Sequence, residues 1–251
     1  MKKILIALLI LPSALFAQIN ESDTSKFEAN LSLTGFRQQG NVETYIFRTK
    51  FGLSFRPIQS VIFKTQNSYV YQEFGKRKAD EDILSLNFLY IRPERRIYPF
   101  ALGFVSTNFR RQINLRYIYG AGTTWQVIKT EKHLLKVSLS CEYEETDFIQ
   151  TNFNINRYDS QRFIKTFRGT FWTYGKYQLF DKKIILHHEC YFQPSIERSD
   201  NFRWQADLGL HFPIKKFLDI KANYLYTFES IVIENQKQED QILSFGLNLK
   251  I

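Results

Sequence analysis

The sequence predicts an all-β chain, a closed antiparallel transmembrane β-barrel of about twelve strands in a single domain. Three observations point there. Apolar and polar residues alternate with period two along nearly the whole chain, which is the periodicity of a strand with two unlike faces. The composition favours strands, with 24 Phe and 14 Tyr against 11 Gly and one Met in 251 residues, because aromatic side chains fit a pleated surface. The connections between alternating segments also switch regularly between short and long, as they do in outer-membrane barrels.

The chain starts with Met1, Lys2 and Lys3, an apolar run from Ile4 to Leu11, and Pro12-Ser13-Ala14-Leu15-Phe16-Ala17. A short basic segment, an apolar core and a small residue at the cut describe a secretory signal peptide. Cleavage is expected after Ala17, leaving 18–26 as a short periplasmic segment and 27–251 as the barrel. No Cys follows Ala17, which argues against a lipoprotein. The formal charge of +9 becomes +7 once Lys2 and Lys3 leave. An exported basic chain without a zinc-finger or helix-turn-helix pattern points to acidic lipid rather than nucleic acid.

The strands are expected to begin near Phe27, Val42, Gln59, Glu81, Ile97, Leu115, His133, Phe163, Lys183, Phe202, Phe217 and Gln241. In the second, Tyr45, Phe47, Phe51, Leu53 and Phe55 share one face and Thr44, Arg48, Lys50 and Ser54 the other. In the seventh, Leu135, Val137, Leu139 and Tyr143 accompany Cys141; in the ninth, Ile184, Leu186 and Phe192 accompany Cys190. The tenth sets Trp204, Ala206, Leu208 and Leu210 against Arg203, Gln205 and Asp207. The eleventh sets Ile220, Ala222, Tyr224 and Tyr226 against Asp219, Lys221 and Asn223, and the twelfth sets Leu243, Phe245 and Leu247 against Ser244 and Asn248. Helical spacing would scatter these charges among the apolar residues.

A soluble β-sandwich also alternates. Segments of ~12 or more residues exceed the usual ~5–6 of soluble strands and suit tilted membrane strands. Short connections are expected at 56–58, 92–96, 129–132, 180–182 and 213–216, with longer ones at 74–80, 110–114, 147–161, 197–201 and 230–240. An even strand count places both ends on the periplasmic side, beside the short turns. Aromatic groups at strand ends read as an interfacial girdle: Tyr69/Tyr71/Phe74, Tyr98/Phe100, Tyr117/Tyr119, Phe163/Phe167 and Tyr224/Tyr226/Phe228. Two cysteines on strands separated by a third are too far apart to pair.

Gly40-Asn41-Val42-Glu43-Thr44, Leu115-Arg116-Tyr117 leading to Gly120-Ala121-Gly122, and Tyr191-Phe192-Gln193-Pro194-Ser195 resemble the short motifs of a bacterial domain-of-unknown-function family. Its named member is a salt-stress-induced outer-membrane protein. Val42 replaces the usual small polar residue of that family's turn, and Ile251 replaces the terminal Phe common in barrels read by the insertion machinery. The resemblance implies an outer-membrane barrel of a Gram-negative bacterium, in contact with outer-membrane lipid and the insertion machinery. It carries over no catalytic residue.

The residues themselves offer little catalytic chemistry. In His187-His188-Glu189-Cys190, strand geometry sends His187 and Glu189 to one face and His188 and Cys190 to the other, so no tetrahedral metal site forms. Gly120-Ala121-Gly122 has no following helix or Lys to make a phosphate loop; small residues that ease strand curvature explain it better. No cofactor and no enzymatic activity are expected. The lumen face is the remaining candidate site, with cations Arg48, Lys50, Lys64, Arg116, Lys136, Arg168, Arg203 and Lys221 and carboxylates Glu142, Glu144, Glu189, Asp207 and Asp219. Eight cations against five carboxylates suit a small, weakly anion-preferring pore for ions or small solutes. The same mixed charges suit the alternative, a non-conducting structural or stress-responsive barrel with a salt-bridged lumen.

Overall fold

A computed structural model describes residues 27–39, 43–215 and 218–249. The expected signal peptide, the 18–26 segment and the Gly40-Asn41-Val42 turn lie outside the described residues. Twelve strands follow one another: β1 (Phe27–Gln38), β2 (Thr44–Ile58), β3 (Val61–Phe74), β4 (Arg77–Ile91), β5 (Ile97–Asn108), β6 (Ile113–Lys129), β7 (His133–Phe148), β8 (Phe163–Leu179), β9 (Ile184–Pro194), β10 (Phe202–Lys215), β11 (Leu218–Glu229) and β12 (Glu239–Leu249). They form one sheet in sequence order, each antiparallel to its neighbours. Strand lengths of 11 to 17 residues are those the unbroken alternation calls for. No β1–β12 ladder is present among the described residues, so closure of the expected barrel is not part of the observed sheet.

The sheet is strongly rolled. Arg116 on β6 reaches Glu229 on β11, across four intervening strands, with Nη2 2.8 Å from Oε2. Phe88 on β4 meets Trp172 on β8 with ring centres 5.9 Å apart. Gly120 and Gly122 allow part of this curvature on β6. A Cβ at Gly120 would strike the Cys141 carbonyl oxygen, and one at Gly122 the Leu139 carbonyl oxygen, so β7 passes closer than any other residue would permit.

Three of the expected connections at the long-loop end are long, at 149–162, 195–201 and 230–238. The expected loop at 74–80 is a correction: Gly75 and Lys76, at φ +56° and +63°, make a two-residue turn, and β4 starts at Arg77 rather than near Glu81. Positive φ at both central residues matches the right-handed twist of a hairpin, so charged Arg77, Lys78, Asp80 and Glu81 continue the strand. A single 3-10 turn, Asn156–Tyr158, lies in the 149–162 loop.

Large side chains on the convex face are exposed, among them Leu31, Leu33, Tyr119, Leu139, Phe163, Phe171 and Phe245. At the long-loop end, this face carries tyrosines bonded to acids: Tyr69 to Glu81 at 3.2 Å, Tyr71 to Glu73 at 3.0 Å and Tyr226 to Glu239 at 2.6 Å. Tyr98 and Phe100 correct the expected girdle. They are 0% and 4% exposed on the concave face, in a cluster with Ile62, Phe88, Tyr90, Leu102 and Ile118. On β5 the convex positions are Ile97, Pro99, Ala101 and Gly103, so the bulky rings fill the interior and mostly small residues face outward. Cys141 and Cys190 are unpaired on β7 and β9.

A second core lies under the long loops: Ile113, Phe148, Phe153, Tyr158, Ile164, Ile231 and Ile233. Phe153 pairs with Ile233 in an isolated antiparallel bridge. Asn154 N donates to Val232 O at 3.0 Å, and Glu234 N to Asn152 O at 2.8 Å. The two longest loops are thereby zipped together over one end of the concave face.

Candidate functional site

Between these two apolar clusters the concave face is ionic. On β7 the even positions point inward, so Lys136, Glu142 and Glu144 are all buried while Leu139 and Cys141 are exposed on the opposite side. On β8 the same parity buries Thr166, Arg168 and Thr170. On β10 the odd positions point inward and bury Arg203.

These elements converge on Glu144, whose side chain is 3% exposed. Arg168 donates to it through Nε at 2.8 Å and Nη2 at 3.1 Å. Arg203 Nη2 lies 2.7 Å away and Arg116 Nε 3.8 Å. Arg116 in turn forks onto Glu229, at 3.0 Å and 2.8 Å, and donates to Thr146 at 3.1 Å. Parallel N–H donors matched to a carboxylate are the strong, oriented form of this contact. Arg111 extends the network to Asp240 at 2.7 Å. Neutral groups complete it: Gln193 accepts from Arg203 Nε at 2.6 Å, and Asn201 accepts from Arg168 at 2.9 Å. Glu142 is held separately, accepting from Ser140 at 2.5 Å and from Thr170.

The structure thus brings together Arg116, Glu144, Arg168 and Arg203 from the sequence-derived set. Lys64, Lys136 and Glu142 are buried on the same concave face nearer the short turns; Lys136 lies over the Tyr98 ring at 6.0 Å. Arg48 and Lys50 are exposed on β2, and Glu189, Asp207 and Lys221 are half-buried on β9 to β11. The Asp219 side chain lies outside the described residues. Glu229 was legible, since it continues the inward parity of Asp219 and Lys221 on β11. Arg111 and Asp240 were not: one sits in a loop and the other at a strand end, where periodicity carries no information.

Toward the short-turn end of β9 and β10, His187 and His211 pack edge to face with ring centres 4.9 Å apart. The His187 imidazole occupies the space that a side chain at 209 would take, so Gly209 is its cradle. Among the described residues, no group of three or more His, Cys, Asp or Glu is arranged to hold a metal ion. Outside the sheet, Tyr158 donates to Asp200 at 2.9 Å. Burial and that hydrogen bond push its phenol up to about 12.

Among solved structures, the chain is similar to the NanC porin, at a TM-score of 0.50 and 9% identity, covering 90% of this chain and 99% of that one. It is also similar to the translocator domain of the autotransporter NalP from Neisseria meningitidis, at a TM-score of 0.45 and 12% identity, covering 90% and 87%. A third similar structure is OmpT, an outer membrane protein of Vibrio cholerae, at a TM-score of 0.37 and 10% identity, covering 89% and 95%. At these identities the likeness is one of fold. No curated protein matches the chain. A family profile matches residues 22–251, and on that match the chain belongs to the family described as protein of unknown function, DUF481.

Proposed function

We propose that this chain is an exported outer-membrane β-barrel whose lumen is held shut by ion pairs, with a structural rather than catalytic role. The observation that carries the reading is the reach of Arg116 to Glu229 and of Arg203 to Glu144. These contacts cross the concave face instead of following neighbouring strands. The zipped loops lie above these contacts and the aromatic cluster below them.

Closure of β1 onto β12 completes this reading. In a bilayer, each unsatisfied edge N–H or C=O costs several kcal/mol, so spanning sheets close. An even count makes these two strands antiparallel, and their faces match: Leu33 and Leu243 are exposed on the convex side, with Thr34 and Ser244 on the concave side. The convex apolar surface and its tyrosine–carboxylate belt supply the lipid contact, and the insertion machinery is the assembly partner. The finer resemblance, to a salt-stress-induced member, supports a stress-responsive role for such a barrel.

A second reading, the small anion-preferring pore, is favoured by Arg48 and Lys50, exposed on the face that carries the network. Single-channel recording of the reconstituted protein in a salt gradient separates the two. The shut barrel gives no steady current. A steady current with weak anion preference, reduced by replacing Arg48 and Lys50 with Gln, supports the pore instead.

A further inference from the structure

We propose that the cavity at the centre of the arginine–glutamate network binds one small monovalent anion, of the size and charge of chloride. The cavity lies between β6, β7, β8, β10 and β11. Its charged lining is Arg116, Arg168 and Arg203 against Glu144 and Glu229, an excess of one positive charge. The neighbouring acids do not remove it. Asp240 is taken by Arg111, and Glu142 is turned away to Ser140 and Thr170. Guanidinium groups do not lose their protons in proteins, so the excess is permanent.

The rest of the wall makes that excess matter. Phe148, Ile164, Phe202 and Ile231 line the same cavity, and such walls strengthen charge interactions relative to water. A buried cation without a counter-charge is the unfavourable member of an ion-pair network. Donors are also left over. A guanidinium carries five N–H groups, whereas Arg203 makes one hydrogen bond here, to Gln193, and one ion pair, with Glu144. Beside the cavity, Arg111 Nη1 has no hydrogen-bond partner, on a side chain 8% exposed.

Size selects the ligand. The free space suits a body about as large as one water molecule, and it is partly open to solvent. A halide fits it and balances the charge. Water fits without balancing it, whereas a divalent oxyanion is too large and overshoots. The site depends on the network alone; it stands whether or not the sheet closes and wherever the chain resides.

The test uses purified protein in a non-ionic detergent, with thermal unfolding followed in sodium chloride, sodium bromide and sodium gluconate at equal ionic strength. Chloride and bromide are expected to raise the midpoint saturably, on the order of 3 °C at about ten times the dissociation constant. Arg203→Gln neutralises the excess while leaving Arg116 and Arg168 on the glutamates, and its midpoint is expected to be the same in all three salts. Equal wild-type midpoints in halide and gluconate overturn the proposal, as does an unchanged halide effect in Arg203→Gln. If that variant does not fold, anomalous diffraction from wild-type crystals grown in bromide decides. A peak among the three guanidinium groups upholds the site, and a cavity without one overturns it.

Discussion

Replacing Glu144 by Gln removes the carboxylate on which three arginines converge while keeping the shape and one oxygen acceptor. The wild-type side chain lies 2.7, 2.8 and 3.8 Å from Arg203, Arg168 and Arg116. At an effective dielectric constant of about 20, a pair at 4 Å attracts by roughly 4 kcal/mol. Three such pairs are offset largely by the desolvation of four buried ions. What remains after one partner is removed is the cost of stranded charge, about 3–5 kcal/mol. Because Gln still accepts a hydrogen bond, the lower end, ~3 kcal/mol, is expected. Urea unfolding from phospholipid vesicles, read by the fluorescence of the three tryptophans, measures the loss. Adding Arg203→Gln removes a stranded cation, so the double variant should be more stable than the two single losses added together. A cost of Glu144→Gln below about 1 kcal/mol would refute a tightly packed ionic centre, since solvated pairs contribute no more than that.

Four other outcomes follow from the same geometry. Gly120→Ala should destabilise by about 1–3 kcal/mol in the same unfolding assay, because the new Cβ meets the β7 backbone rather than a movable side chain. Tyr158→Phe should cost ~1 kcal/mol for the lost bond to Asp200. Because the Tyr158 phenol is held above its ordinary value, its contribution is complete below pH ~10 and fades as pH rises through about 12. A spectrophotometric titration should therefore lose one late-titrating tyrosine in the variant. Ile233→Asp should unzip the two long loops and speed protease cleavage within 149–162, and unchanged cleavage would show that Phe153 and Ile233 do not hold them. Non-reducing mass spectrometry should find Cys141 and Cys190 as free thiols, given a full strand between them.

The faces of the strands were legible in the sequence, and their curvature was not. Period two places Glu144, Arg168 and Arg203 on one side because a strand has only two sides. It says nothing about which distant strands that side will meet, so the Arg116–Glu229 contact was hidden even though both residues follow their strand's parity. Size misled at Tyr98 and Phe100. An outward face accepts Ala101 or Gly103, whereas a rolled interior needs large rings to fill it. The Gly75-Lys76 turn was hidden by its flanks, where charged residues read as a loop although they sit at the solvated end of a strand. The loop cluster of Phe153, Tyr158, Ile231 and Ile233 had no periodic signal, because loop backbone takes no fixed repeat.

The central claim is that twelve strands close into a membrane barrel, and disulfide scanning between its first and last strands tests it most directly. Cys141 and Cys190 are first replaced by Ser. Single cysteines are then placed at convex positions Leu31 or Leu33 on β1 and Leu243 or Phe245 on β12. Opposed residues on neighbouring antiparallel strands have Cβ atoms about 4.5–5.5 Å apart, close enough for a bridge to form with a small backbone adjustment. The account predicts that one register of these pairs, and not the others, crosslinks in membranes containing the folded protein. Folded, membrane-inserted protein in which no pair crosslinks would contradict it.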